Sequence, residues 1–414
     1  MSEFNISLAL VGATVLFIGM VSRLLNRSIL SLPLLAFLLG VLAGPVLGWL
    51  DPAGWGHEMK ILEEVARVSL GVSLMSIALR MPPRFVFDQG RPLTVILALG
   101  MPLMWLISSG LALGFLDVAL MTALMLGASV CPTDPVVSSS IVTGGVATDN
   151  LPDRFRHTLS AEAALNDGLA LPLVMLPILL IKSSDTALNE WFVHVLGWQV
   201  LGAVAIGALL GYLAGTALRT AEARDLIDQP SFLVTTLALT LLALGAAKLL
   251  GTDSILAVFA TGIAFDQRVD GKDRSEESEI QEAVNLFLTL PVFMLVGLMI
   301  PWSDWLNLGW AGLGLSLAVL VLRRLPVILL LRPAIRLWRD LPVALLAGWF
   351  GPIGVAAVFY AMLVYHETGN DTIWVVASLL VAASLVVHGM TAAPIAKYYG
   401  RRYGDQLPIE QKLY

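Results

Sequence analysis
The sequence predicts an all-α polytopic membrane protein of about thirteen transmembrane helices, arranged as inverted repeats with two crossed broken helices. Three observations carry that expectation. Of the 414 residues, 57% are hydrophobic and only 14% charged, whereas a soluble domain carries about 25% charged residues to keep its surface in water. Apolar runs of about 20 residues, the length that crosses a hydrocarbon core of about 30 Å, recur along the whole chain. Helix breakers interrupt two of those runs at comparable places in the two halves, and unwound backbone at membrane depth is tolerated only where protein or a water-filled cavity satisfies its polar groups.

Taken in order, the first span covers residues 6–24. It carries Glu3 and no basic residue before Ile6, so it reads as a retained helix, since a cleaved signal peptide starts positive. Apolar runs bounded by charges or Gly/Pro clusters give the next spans at 30–50, 61–79, 93–113 and 119–142. The fifth contains the first interruption, Cys131-Pro132-Thr133-Asp134-Pro135. Further spans follow at 155–181, 193–218, 232–250, 254–265 (the shortest), 283–300 and 308–331. The twelfth, 341–365, contains the second interruption, Gly351-Pro352-Ile353-Gly354, and the thirteenth covers 373–396. A lone proline in a membrane helix is an ordinary kink, but a Thr-Asp core flanked by two prolines is harder to read that way.

Charge asymmetry tests the count, because Lys and Arg collect in cytoplasmic loops. Nineteen of the 25 basic residues fall on one side of the alternation, among them Arg23, Arg84, Arg154, Arg219, Lys272, Arg336 and Lys412. Lys60, Lys182 and Lys248 fall on the other, and Arg67, Arg323 and Arg324 lie inside spans. The N-terminus is therefore expected outside the cell membrane and the C-terminus in the cytoplasm. Residues 1–414 read as one transmembrane domain, with 397–414 a cytoplasmic tail too short for a folded regulatory unit. The formal charge of -6 points to no nucleic-acid partner, because the basic residues report topology here. The one cysteine, Cys131, cannot form an internal disulfide.

Asp167 lies near the middle of the sixth span, in Asn166-Asp167-Gly168. A carboxylate at that depth costs at least ~2.5 kcal/mol unless it faces a cavity or a partner. Withdrawal from water favours the neutral acid, so the same oxygens can hold a proton or a small cation but not both. Competition for one carboxylate is already an exchange mechanism. The bland reading is a structural acid paired with a buried base. Asp134 sits between two prolines, where freed carbonyls such as that of Thr133 supply hard oxygen ligands. Asp134 either touches the ion itself or neutralises positive helix ends.

Glu162 and Asn166 share a helix face, whereas Glu162 and Asp167 point about 140° apart, which argues against a twin-acid site. A buried guanidinium needs a fixed counter-charge, and Glu162 is the first candidate for Arg323 and Arg324, as a structural pair. His388 reads as a hydrogen-bonded packing residue that could alternatively sense pH, and Lys248 and Arg67 as snorkelling ends. His366-Glu367 begins like a zinc-protease motif, but Asn370 stands where its second histidine belongs, and no metal cluster or cofactor site is evident.

Thr133-Asp134-Pro135, Ser160-Ala161-Glu162 leading to Asn166-Asp167-Gly168, Arg323 ahead of Pro326-Val327, and Gly351-Pro352-Ile353-Gly354 together resemble the monovalent cation:proton antiporter family that includes the bacterial NhaP type. Leu34 to Pro45 and His388 to Pro394 add weaker likeness, and the wording around Arg323-Arg324-Leu325-Pro326 is similar to fungal plasma-membrane alkali-cation/proton antiporters. The resemblance implies a homodimer of thirteen-span subunits, with a dimerisation part and a mobile core that moves the ion like an elevator. It implies that Asp167 binds Na+ or K+ and a proton in turn, that Thr133 offers its carbonyl, that Asn166 and Asp134 support the crossing, and that Arg323 pairs with Glu162. The Asn before the Asp implies electroneutral exchange.

The chain departs from that pattern at Ala163, where relatives have Ser, so a hydroxyl ligand one turn before Asp167 is missing. The third span carries Ser73 and Ser76 where some relatives place an acid. Both departures bear on cation selectivity. The rival readings are a sodium-coupled carrier of an organic anion, against which the two deep aspartates argue, and a membrane scaffold or sensor. An enzyme is not expected, since neither aspartate has a second catalytic group beside it.

Overall fold
The computed structural model describes residues 2–27, 30–82, 84–137, 139–226, 232–269 and 274–403. Lys272 and the tail from residue 404 onward lie outside the described residues. Every described regular element is helical, and each expected span coincides with helix. The first four are Ser2–Arg27, Leu32–Val46, Glu58–Arg80 and Gly90–Phe115. The sixth to ninth are Asp153–Lys182, Ala187–Ala223, Phe232–Leu249 and Ser254–Asp266. The tenth, eleventh and thirteenth are Arg274–Leu298, Trp302–Ala334 and Asp371–Tyr403. Six of the described helices are long and apolar enough to cross a membrane, and shorter apolar helices stand beside them.

Both breaks predicted from the Pro/Gly clusters are present. The fifth span is split into Leu120–Ser129 and Ser139–Val142, and the twelfth into Leu341–Trp349 and Val355–Thr368. Proline lacks the N–H that would continue the ladder. Local signals also set ordinary helix ends. Asp253 accepts from Ile255 N and Leu256 N to start the ninth span. Gly369, at φ 68°, ends the second half of the twelfth with its N–H on Tyr365 O at 2.7 Å.

Burial sorts the helices into centre and periphery. In the most apolar window of the thirteenth span 67% of residues are buried, against 28% in the seventh, so the former is central and the latter lies at the rim. Large apolar side chains such as Leu209, Leu213, Leu306, Trp310 and Leu317 point outward, the pattern expected where hydrocarbon is the solvent. Helices approach closely through small residues. A Cβ on Gly207 or Gly211 of the seventh span would lie about 3 Å from backbone atoms of Ala257 and Phe265 in the ninth. Gly40 and Gly297 meet the backbones of the tenth and second spans in the same way. The eleventh span is interrupted at Arg323-Arg324, between Trp302–Leu322 and Leu325–Leu331. That interruption places two arginines at the helix crossing.

Candidate functional site
The two broken helices cross through backbone. Asp134 N–H donates to Pro352 C=O at 2.9 Å, joining the interruption of the fifth span to that of the twelfth. Two glycines permit the approach. A Cβ on Gly351 would lie 3.0 Å from Arg324 Nε and 3.3 Å from Thr133 Cγ2, and one on Gly354 would lie 2.6 Å from both Cβ and Cγ of Asp134. Pro132 and Pro135 bracket one interruption, and Pro352 supplies the acceptor for the other.

A crossing of broken helices leaves unpaired N–H groups and positive partial charge at the starting ends, and unpaired carbonyls and negative partial charge at the finishing ends. Asp134 answers the first problem. Its Oδ2 accepts from Val355 N at 2.7 Å, the start of Val355–Thr368, while Oδ1 accepts from Val136 N at 2.7 Å and Val137 N at 3.2 Å. Arg323 answers the second. Its guanidinium donates to the carbonyls of Val130, Cys131 and Pro132, the last two at 2.8 and 3.2 Å, and to Gly351 C=O. One acid and one base thus serve the backbone groups that the two breaks bring together.

This arrangement corrects the expected ion pair. Glu162 pairs with Arg324, not Arg323: Nη1 and Nη2 of Arg324 each donate to one oxygen of Glu162 at 2.6 Å, while its Nε donates to Ala347 C=O at 2.9 Å. Both arginines lie in the break between Leu322 and Leu325, where Arg323 turns into the crossing and Arg324 onto the sixth span.

Asn166 links these parts. Its Oδ1 accepts from Thr133 N at 3.1 Å, and its Nδ2 donates to Thr133 Oγ1 at 2.8 Å and to Glu162 Oε1 at 3.3 Å. The four-residue spacing of Glu162 and Asn166 makes the last contact possible. Thr133 C=O accepts no hydrogen bond from the described residues. Asp167, the next residue, is 2% exposed, and its Oδ1 is buried with no hydrogen-bond partner. A buried carboxyl oxygen without a donor is costly unless it holds a proton or a cation. Thr133, Asp134, Glu162, Asn166, Asp167, Arg323 and Arg324 are all under 5% exposed, so their charges interact with little screening by bulk water. Ala163 is also buried, one turn before Asp167.

Two residues that sequence reasoning passed over stand next to the sixth span. Tyr360, in the second half of the twelfth span, donates its hydroxyl to Asp167 C=O at 2.5 Å. Asp253, which begins the short ninth span, leaves Oδ2 buried and unpartnered, and Gly168 packs on Leu256 one turn into that helix. An acid at the start of a short apolar helix was the available signal. His388 serves packing: Nδ1 lies 3.0 Å from Ser384 Oγ, which accepts from Ile353 N at 2.7 Å, and the ring packs edge-on to Trp349. Arg67, expected to snorkel, is paired with Glu64 at 2.7 Å, whereas Lys248 is exposed. His366 Nδ1 contacts the Glu63 carboxylate, and Glu367 pairs with Lys182. Ser73 and Ser76 are buried, and Ser76 Oγ has no partner.

Comparisons with known proteins accord with this geometry. The chain is 31% identical over 399 residues to the Na(+)/H(+) antiporter 2 of Zygosaccharomyces rouxii, a match that covers 87% of this chain and 49% of that protein. It is 29% identical over 424 residues to the Na(+)/H(+) antiporter of Schizosaccharomyces pombe, covering 94% and 89%. A K(+)/H(+) antiporter NhaP2 of a Shewanella species is 24% identical over 298 residues, covering 70% and 50%. The chain spans about half the length of the first curated relatives it matches. Its fold is similar to the sodium proton antiporter MjNhaP1 from Methanocaldococcus jannaschii at pH 8, with a TM-score of 0.72, 18% identity, and coverage of 96% of this chain and 98% of that one. The profile of the family described as "Sodium/hydrogen exchanger, transmembrane" matches residues 11–398, and with motifs and helix crossing in agreement, the chain belongs to that sodium/hydrogen exchanger family.

Proposed function
We propose that this chain exchanges Na+ or K+ for H+ across the cell membrane, with Asp167 as the group that both ions share. The observation that carries the proposal is the buried Asp167 carboxyl, whose Oδ1 has no hydrogen-bond partner, beside a crossing whose other charges are occupied. Glu162 is held by Arg324, and Asp134 by helix ends. Of the carboxylates at the crossing, that leaves Asp167 to trade one cation for one proton, an electroneutral 1:1 exchange. Thr133 C=O stands beside Asn166 as a further oxygen for the cation, Asn166 positions it, and Asp134 acts through the helix ends. The relatives' names include both Na(+)/H(+) and K(+)/H(+) antiporters, so both cations are kept.

In this reading the spans divide into interleaved dimerisation and core parts, two chains form the working unit, and the core carries the ion by an elevator-like movement. The charge asymmetry supports an outside N-terminus and a cytoplasmic C-terminus. No resident cofactor or metal takes part, and the reaction is transport without covalent chemistry.

The test is proton flux in proteoliposomes on imposing a Na+ or, separately, a K+ gradient with the membrane potential clamped. Wild-type flux should vanish in Asp167→Asn while the purified variant keeps its melting behaviour. Flux that persists in the folded variant would remove Asp167 from the mechanism, and no flux with either cation in the wild type would remove the exchange itself.

A further inference from the structure
A polar cavity of about 360 Å³ is lined by none of the residues of the crossing. Asp88, Gln89, Arg91 and Pro92 at the start of the fourth span, Arg154 at the start of the sixth, Pro333 and Ala334 at the end of the eleventh, and Arg336, Leu337 and Arg339 before the twelfth line it. Four arginines, Arg91, Arg154, Arg336 and Arg339, and one acid, Asp88, all exposed, therefore line the same concavity. The side chains of Arg91, Arg336 and Arg339 make no ion pair or hydrogen bond with the described residues, and Arg154 donates only to Gln89 Oε1, at 3.3 Å.

The cavity is built on a fixed floor. Ile335 and Trp338, inside the turn that bears Arg336 and Arg339, are fully buried in a cluster with Phe155, Ile96 and Tyr399. The preference of basic residues for one side of a membrane accounts for arginines in these loops. It does not account for four of them, from three separate segments, converging on one concavity with a single acid. Their mutual repulsion is relieved by a multivalent anion, and the planar guanidinium fork matches phosphate oxygens two at a time. Phe87, next to Asp88 in sequence, is 66% exposed, and Leu330 and Leu341, three and two residues from the lining, are 68% and 49% exposed.

We propose that this cavity is a binding site for a phosphate group, carried by an anionic phospholipid of the adjoining leaflet or by a soluble phosphate. Basic pockets at the cytoplasmic ends of transmembrane helices take lipid headgroups in this way. Bound there, a phosphate would tie the start of the sixth span, which carries Asp167, to the turn that leads into the twelfth. The site stands whether or not the exchange reading does.

The experiment uses the delipidated full chain in neutral detergent, titrated with dioctanoyl phosphatidic acid, dioctanoyl phosphatidylcholine and inorganic phosphate, with thermal stability read by tryptophan fluorescence. Phosphatidic acid should raise the melting temperature and phosphatidylcholine should not. Apparent affinity should fall about fivefold for each arginine removed, hence roughly 25-fold in Arg336→Gln/Arg339→Gln. The exposed Arg219, on the same side but remote in sequence, supplies the control: Arg219→Gln should bind as wild type. A shift with inorganic phosphate that is lost in the double variant would assign the site to soluble phosphate, and a shift with phosphatidic acid alone would assign it to lipid. No shift with either, equal binding by the double variant, or equal weakening in Arg219→Gln would overturn the proposal.

Discussion

Replacing Arg324 by methionine tests the architecture of the crossing most sharply, because it strands the Glu162 carboxylate. The two side chains are 2% and 1% exposed and share two hydrogen bonds of 2.6 Å. Removing one partner of such a pair leaves an uncompensated buried charge at a cost of about 3–5 kcal/mol. Asn166 Nδ2, at 3.3 Å from Oε1, is a neutral donor that offsets about 1 kcal/mol of it. Arg324→Met should therefore destabilise by roughly 3 kcal/mol, and Glu162→Met, which strands the guanidinium, by a similar amount.

The double variant Glu162→Met/Arg324→Met removes both charges. It forfeits the bond from Arg324 Nε to Ala347 C=O, worth about 1 kcal/mol, but no charge is left unpaired, and buried pairs replaced by apolar residues are often neutral in stability. The cycle should thus show non-additivity of at least ~3 kcal/mol. Arg323→Met should also destabilise, by uncovering four carbonyls, but its coupling to Glu162 should stay under about 1 kcal/mol because the two share no hydrogen bond. Equilibrium unfolding in mixed micelles, followed by tryptophan fluorescence under reversible conditions, measures all of these. Coupling as strong through Arg323 as through Arg324, or additive losses for Glu162 and Arg324, would refute the pairing.

Gly354→Ala should destabilise by about 1–3 kcal/mol, because the new methyl meets Asp134 Cβ and Cγ at 2.6 Å and that side chain is pinned by backbone N–H groups. Gly145→Ala, with nothing within 4 Å, should stay within about 0.5 kcal/mol in the same denaturation assay. Ala163→Ser returns an oxygen one turn before Asp167, and the cation concentration for half-maximal flux should shift severalfold for Na+ or K+. Unchanged values for both cations would exclude that position from ion binding. Finally, flux against pH should pass through a maximum: protons displace the cation from the shared carboxylate at low pH, and proton supply limits turnover at high pH. A flat profile would count against competition for one carboxylate.

The sequence alone determined the layers of this protein that depend on local chemistry. Apolar runs located the helices, six of them long enough to cross a membrane, because hydrocarbon thickness sets helix length. Pro132, Pro135 and Pro352 located the breaks because proline cannot continue a backbone ladder, and the spacing of Glu162 and Asn166 placed them on one face because 3.6 residues make a turn. The depth of Asp167 was likewise legible from its distance to the ends of its own span.

Only tertiary structure decided which distant groups meet. Arg323 and Arg324 are equivalent as a sequence, both basic and both inside a span. The interruption that contains them, and its position against the crossing, gave one arginine the carbonyls and the other Glu162. Asp134 could touch an ion or helix ends as far as spacing went, and the approach of Val355 N to its Oδ2 is set by packing 221 residues away in sequence. Tyr360 and Asp253 carry no motif, and their proximity to the sixth span follows from helix docking. Periodicity and composition act along the chain, whereas the pairing of buried charges depends on directions that are defined only once the helices have packed.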